Sequence, residues 1–261
     1  MTQAESVAIP FISYTPEKGF EINQEAIDFL MSVKQSIGVI SVCGKYRTGK
    51  SYLLNKLFLE KIHAATGKTD MRKEGFSVGP TINPCTKGLW LLKEIFYSPN
   101  DPNKETPIIL IDTEGLGAFD EEENHDAKIF LLALLLCSLL LYNSIGSIDE
   151  NALQNLSLVV NLSKKLQVRQ GQQMDHDEMA AYFPQFLWVL RDFALQLIDV
   201  DGNDINQRTY LENSLREVKG SSDAVEEKNK TRRLIRHFFT ERDCFTLVRP
   251  VEDERMLQNL A

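Results

Sequence analysis

Residues 37–60 read IGVISVCGKYRTGKSYLLNKLFLE, and three consecutive patterns in that stretch decide the fold. Ile37 to Cys43 is an apolar run of strand length, and Tyr52 to Glu60 carries helical spacing. Between them stands Gly44-Lys45-Tyr46-Arg47-Thr48-Gly49-Lys50-Ser51, a complete G-x-x-x-x-G-K-S box. Its two glycines let backbone N–H groups turn inward around a phosphate, and the helix that follows presents the positive end of its dipole. Lys50 can then reach the outer phosphates and the Ser51 hydroxyl can ligate Mg2+. A chance glycine turn would lack the strand before it and the helix after it. The expected fold is α/β: a mostly parallel central sheet with helices on both faces, the phosphate loop after the first core strand, and an antiparallel strand near the edge.

Working outward, residues 20–35 place Ile27, Leu30, Met31 and Lys34 at helical spacing behind Asn23, a good N-cap. Gly88 to Phe96 and Pro107 to Ile111 are strand candidates around a polar turn, which fits two neighbouring strands in a hairpin. The apolar run Ile129 to Tyr142 is too short for a membrane span and reads as a buried helix entering a buried strand. Residues 149–168 form a helix pattern, with Asp149 as cap and Leu153, Leu156, Val159, Val160 and Leu166 on one face. Phe186 to Leu190 is a further buried strand, ending at Arg191 and Asp192. Residues 216–231 look like a charged, mobile loop, with a short basic helix over Thr231 to Phe239. In that helix Arg232, Arg233 and Arg236 read as a solvated face, with a phosphate or partner role as the alternative. The acidic run Asp120 to Glu123 precedes a helix beginning near Asp126, and Trp90 and Trp188 are read as core.

The chemistry gathers around the phosphate loop. Pro107 to Ile111 ends in Asp112-Thr113-Glu114-Gly115, a D-x-x-G box. An Asp there can hold the metal through a water, while the Gly115 N–H can contact a γ-phosphate. In the intervening stretch from Phe76 to Gly88, Thr86, preferred over Thr81, is placed to complete the Mg2+ shell. Arg47 is either an arginine finger supplied in cis or a solvent-exposed cation raising the local potential. Glu114 either holds a water network by the γ-phosphate or is a surface carboxylate. No N-K-x-D or T-K-x-D box is present. Instead Arg191-Asp192 follows a strand, and an Asp there can accept from N1–H and the exocyclic amine of guanine, a pattern adenine lacks. The alternative is a surface Arg-Asp pair.

Of the 261 residues 43% are hydrophobic and 25% charged, and 29 basic against 37 acidic side chains leave a formal net charge of −8. Such a chain buries a full core without disulfides or a structural metal. The acidic balance argues against non-specific binding to nucleic acid or anionic membrane. Four cysteines lie far apart with no C-x-x-C pair, and four histidines lack metal-ligand spacing. These features, with no secretory signal pattern, point to the cytoplasm.

Taken in order, VCGKYRTGKSYLLNKL, FSVGPTINPCTKGLW, LIDTEGLGAFD, LYNSIGSIDENAL and FLWVLRDF resemble the guanylate-binding protein family of dynamin-related large GTPases. The likeness runs from about residue 15 to about residue 255. It implies hydrolysis of GTP to GDP, with GMP as a further candidate product, a Mg2+ cofactor, and GTP-dependent homodimerisation through the nucleotide face that accelerates turnover. The implied nucleotide contacts are Gly44, Lys45, Tyr46, Arg47, Thr48, Gly49, Lys50, Ser51 and Tyr52, with Val78, Gly79 and Pro80 from the intervening loop. Asp112, Thr113, Glu114, Gly115 and Leu116 follow, and Arg191 and Asp192 complete the set. Arg47, Lys50, Thr86 and Glu114 carry the implied catalytic roles, and Ser51, Thr86 and Asp112 the metal.

Two departures stand out. Members with a serine two residues before the switch threonine use it to position the attacking water, and Pro84 stands there in this chain. Glu252, Asp253 and Glu254 follow Arg249-Pro250-Val251, where many animal members carry basic residues in a cap over the guanine. The family's closing helix and helical stalk have no counterpart, so residues 1–261 are expected to be one large-GTPase domain of a longer protein, whose remainder would meet a membrane or protein partner. The rival readings are a non-hydrolysing GTP-gated interaction module, an ATPase, and a phosphotransferase to a small acceptor.

Overall fold

In the computed structural model of the chain the described residues are 8–15, 17–59, 75–78, 88–98, 100–116, 123–163, 182–253 and 256. Among them, eight strands form one sheet: β1 Ala8–Thr15, β2 Gly19–Ile22, β3 Gly38–Cys43, β4 Leu89–Leu92, β5 Ile108–Thr113, β6 Leu139–Ile145, β7 Gln185–Arg191 and β8 Arg242–Thr246. Their order across the sheet is β2-β1-β4-β5-β3-β6-β7-β8. The run β5-β3-β6-β7-β8 is parallel. At the other side β4, β1 and β2 pair antiparallel in turn, so that two strands, β4 and β2, run against the parallel set where the sequence pattern predicts one. The N-terminal residues 8–15 give few turn signals and carry Pro10 beside a register shift in β1, so their strand character is hidden from pattern alone.

Period-two alternation splits the core into two layers. One face collects Cys43, Ile109, Ile111, Leu140, Tyr142, Phe186, Trp188 and Leu190. Against it pack helices α1 Gln24–Ser32, α3 Glu123–Leu136, α4 Glu150–Ser163, α5 Gln207–Ser214 and α6 Asp223–Phe238. The opposite face collects Val42, Leu110, Leu141 and Val189 and packs against Leu53 and Leu54 of α2, Lys50–Leu54, and against Phe76. The same parity places Asp112, Asn143 and Arg191, each two residues beyond one of these apolar positions, on the α2 face at the strands' C-terminal ends.

Several elements follow directly from local chemistry. Asn23 caps α1 by accepting from the Glu25 N–H at 2.8 Å. Asp149 caps α4, accepting from the Ala152 N–H at 2.7 Å; the expected partners Val159, Val160 and Leu166 lie outside the described side chains. β4 and β5 pair antiparallel as the hairpin reading required. The run from Ile129 becomes the end of α3 and then β6, as its length required. Helix α3 begins at Glu123, within the acidic run rather than after it.

Two expectations need correction. Tyr52 to Glu60 is not one α-helix: α2 ends at Leu54 and a π-helical turn spans Asn55–Leu59. There the Asn55 side chain binds the Phe76 backbone twice, donating to its carbonyl at 2.9 Å and accepting from its N–H at 3.0 Å. Residues 216–231 are not a single loop either, because α6 starts at Asp223 behind the Ser222 N-cap. Acidic Asp223 and Glu226 occupy its first turn and Arg236 and His237 its last, both favourable to the helix dipole. Its inward positions are Asn229, Arg232, Ile235 and Phe238, and two polar residues among four conceal the helical period. Both are satisfied: Asn229 exchanges hydrogen bonds with the Val218 backbone, and Arg232 binds the Glu150 carboxylate and the Ser214 carbonyl. Arg232 is therefore no solvated side chain. Arg233, which pairs with Glu217 and Glu226, is half exposed. Among the described residues no helix is long and apolar enough to cross a membrane.

Candidate nucleotide site

The loop after β3 is shaped by close approach. Gly44 has φ 149°, and a Cβ added to it would lie 2.1 Å from the Asn143 carbonyl oxygen of β6. Gly49, the N-cap of α2, has φ 75°, and Arg47 also takes the left-handed conformation with φ 61°. Holding a non-glycine residue there costs energy that the surrounding contacts must offset, a pattern typical of ligand-gripping loops. The Thr48 hydroxyl donates to the Lys45 carbonyl at 2.8 Å, and the buried Lys50 Nζ donates to the same oxygen at 3.3 Å. Lys45 and Arg47 are exposed, while Tyr46 and Tyr52 are half-buried.

The D-x-x-G segment closes against this loop. The Tyr46 N–H donates to the Leu116 carbonyl at 2.9 Å and the Leu116 N–H donates to the Gly44 carbonyl at 3.1 Å, so the two motifs are joined by a single parallel bridge. Ser51 Oγ donates to Asp112 Oδ2 at 2.6 Å, and Asp112 is fully buried. The Thr113 hydroxyl donates to the Val42 carbonyl at 2.7 Å, locking β5 to β3 below the site. Burial pushes the Cys43 thiol up to about 12, so it stays protonated beside the loop and supplies no nucleophile.

Glu114 is not a surface carboxylate. It is buried, with Oε2 accepting from the Gly88 N–H at 2.8 Å, while its own N–H donates to the Gly88 carbonyl at 2.9 Å. The D-x-x-G segment is thereby fastened to the chain two residues beyond Thr86. Thr86 itself, with Gly79, Pro80, Thr81 and Pro84, lies outside the described residues; Val78 is half-buried.

At the end of β7 the alternative of a surface Arg-Asp pair is also not found. Arg191 is buried at 8% exposure, with Nη1 donating to the Gly49 carbonyl at 3.4 Å and its guanidinium 5.9 Å from the Tyr52 ring centre. Burial lowers its pKa, partly opposed by neighbouring Asp192. Asp192 is half-buried and left-handed at φ 55°, beside the segment after β8, which is tied in where the Phe193 N–H donates to the Leu247 carbonyl at 3.0 Å. Trp188 is fully buried, with Nε1–H donating to Ser144 Oγ at 2.8 Å.

One residue of the site escaped the sequence reading of roles. Asn143 is fully buried, and its Nδ2 donates to both the Thr48 carbonyl and the Thr48 hydroxyl at 2.9 Å. The signal was present in LLLYNSI, where a polar residue holds a core-parity position at a strand's C-terminal end.

A phosphate loop after the central strand β3, a D-x-x-G turn after its neighbour β5 and an Asp beyond β7, all at the C-terminal edge of one sheet, define a P-loop nucleotide-binding domain. Residues 17–261 match the family model described as the guanylate-binding protein N-terminal domain, and the chain belongs to that family. It is 38% identical over 241 residues to human guanylate-binding protein 7, covering 90% of this chain and 35% of that protein. To human guanylate-binding protein 4 it is 36% identical over 249 residues, covering 94% and 36%. The chain thus spans about a third of the length of the curated relatives it matches. Among solved structures, Toc33 from Arabidopsis thaliana in complex with GDP and Mg2+ is 15% identical at a TM-score of 0.41, covering 85% of this chain and 76% of that one.

Proposed function

We propose that the domain binds GTP and hydrolyses it to GDP by water attack on the γ-phosphate, with dimerisation through the nucleotide face raising the rate. The observation that carries this reading is the 2.6 Å contact between Ser51 and buried Asp112, which brings the two phosphate-handling motifs together from 61 positions apart. Their hydroxyl and carboxylate oxygens are hard donors that suit Mg2+, and Ser51, Asp112 and Thr86 would hold it. When bound, the ion neutralises charge on the β- and γ-phosphates. Lys50 leaves the Lys45 carbonyl for the outer phosphates, and Arg47 acts as the internal finger against the charge of the transition state. Asp192 accepts from the guanine edge. Glu114 fixes the D-x-x-G turn through its clamp on Gly88, and so acts on the water indirectly. The working location is the cytoplasm, and any membrane or protein partner belongs to a longer protein.

The test is GTP turnover with Mg2+ at several protein concentrations, with products separated and ATP run in parallel. Specific activity should rise with protein concentration, and ATP should compete poorly. GTP binding without product at any concentration would instead make the domain a GTP-gated interaction module, the reading that Pro84 favours. Equal binding of ATP would remove the role given to Asp192.

A further inference from the structure

We propose that Arg191 is a positioning residue of the phosphate loop: from beneath, it fixes the Gly49 end of that loop, so its side chain serves the polyphosphate while its neighbour Asp192 serves the base. The inference rests on the nucleotide-binding reading above and assigns a division of labour within it. Alternation along β7 puts Val189 and Arg191 on the α2 face, and Arg191 is the last residue of the strand. Its guanidinium lies against the turn where the loop becomes helix: Nη1 is 3.4 Å from the Gly49 carbonyl and 3.3 Å from where a Cβ on Gly49 would stand. The Tyr52 ring covers the same cation one turn into the helix. Among the described residues no carboxylate pairs with Arg191. A buried guanidinium held by a carbonyl dipole and a ring face orients the backbone it touches without cancelling its own charge, which keeps the loop electropositive.

The adjoining residue of the loop, Thr48, is held from the adjacent strand. Asn143 on β6 binds the Thr48 carbonyl and hydroxyl, and its carbonyl oxygen abuts Gly44. The Thr48-Gly49 end of the loop therefore rests on two side chains from neighbouring strands that share one face of the sheet. The next residue, Asp192, turns away in the left-handed conformation, so two adjacent residues address the two halves of one ligand. Lysine could supply the charge but not the planar fork and ring stacking.

The experiment titrates the full chain and its Arg191→Met and Arg191→Lys variants with GTP, GDP and GMP, each displacing a ribose-labelled fluorescent guanine nucleotide. Arg191→Met should weaken GTP and GDP about tenfold, as loss of a charge-assisted contact to the loop requires, and GMP less than about threefold, so the GTP-to-GMP affinity ratio shrinks. Arg191→Lys should recover part of that ratio. Asp192→Asn should weaken all three nucleotides by a common factor. Equal weakening of all three by Arg191→Met, or an unchanged ratio in Arg191→Lys alongside a lowered melting temperature, would overturn the proposal and leave Arg191 a structural residue. If Arg191→Met does not fold, the ratio in Arg191→Lys decides. A wild-type chain that binds ATP as well as GTP refutes the guanine reading alone, because the ratio is then read with ATP, ADP and AMP. A wild-type chain that binds no nucleotide overturns both.

Discussion

Gly115 lies so close to the phosphate loop that a methyl group on it would sit 2.2 Å from the Tyr46 Cα. Backbone at that distance cannot give way, so Gly115→Ala should part the Tyr46 and Leu116 pairing and lower nucleotide affinity at least about tenfold; calorimetric titration of a folded variant with unchanged affinity would sink the idea. Asn143→Leu keeps the volume but removes both hydrogen bonds to Thr48, leaving the Thr48 groups without that donor. It should cost about 1–3 kcal/mol of stability in chemical denaturation and loosen nucleotide binding as well. Among the residues expected to touch phosphate, Lys50→Ala should abolish binding, and retained binding and turnover would remove the assignment of the loop. Arg47→Ala should lower turnover more than affinity, and an equal loss in both would make Arg47 a ground-state contact. Asp112, Gly115 and Lys50 could be singled out in the sequence because their motifs require a particular residue type at a fixed spacing. The contacts of Asn143 and Arg191 with the loop could not, since polar side chains at strand ends acquire partners only when another strand's loop arrives.

At the scale of elements, α4 and α6 are joined by Arg232, 5% exposed, and the carboxylate of Glu150 at the start of α4. The Arg232 hydrogen bonds hold the Glu150 carboxyl below its ordinary 4.5, outweighing the smaller effect of burial. A depressed folded pKa means stability that is present above the unfolded value and lost as pH falls through the lower folded one. The wild-type chain should therefore lose stability on acidification below about pH 4.5, and Arg232→Met should flatten that part of the profile; an unchanged slope in thermal unfolding across this range would count against the coupling. Arg232→Met should also destabilise more than Arg233→Met, whose partners are exposed, because surface ion pairs contribute about 0–1 kcal/mol. This junction also explains the misreading of residues 216–231. Hydropathy patterns find a helix by its apolar stripe, and here the stripe is completed by Asn229 and Arg232, whose partners are distant in sequence.

Across the whole molecule, the C-terminal edge of the parallel strands carries the phosphate loop, the D-x-x-G segment and the Arg191-Asp192 pair, and the strands β4, β1 and β2 extend the sheet beyond β5. Dimerisation through that edge predicts turnover that rises faster than linearly with protein concentration; strictly proportional turnover would mean the single domain hydrolyses unaided. Glu252 and Asp253, a few residues after β8, are exposed. If they repel across a dimer, added salt should strengthen concentration-dependent activity, and a monotonic loss with salt would exclude that repulsion.

The sequence by itself determined the α/β class, the phosphate loop, its D-x-x-G partner and the family, because phosphate cradles depend on glycines, a lysine and a hydroxyl at short, fixed spacing. Apolar runs likewise announced β3, β5, β6 and β7, since a strand buried on both faces leaves no polar alternation to misread. Only the tertiary structure decided that Glu114 is a buried clamp on Gly88, that Asn143 and Arg191 hold the loop from beneath, and that Arg232 is an interior cation. Each of these depends on a contact between segments far apart in the chain, and the energy that fixes a polar side chain in such a place comes from a partner no local pattern encodes.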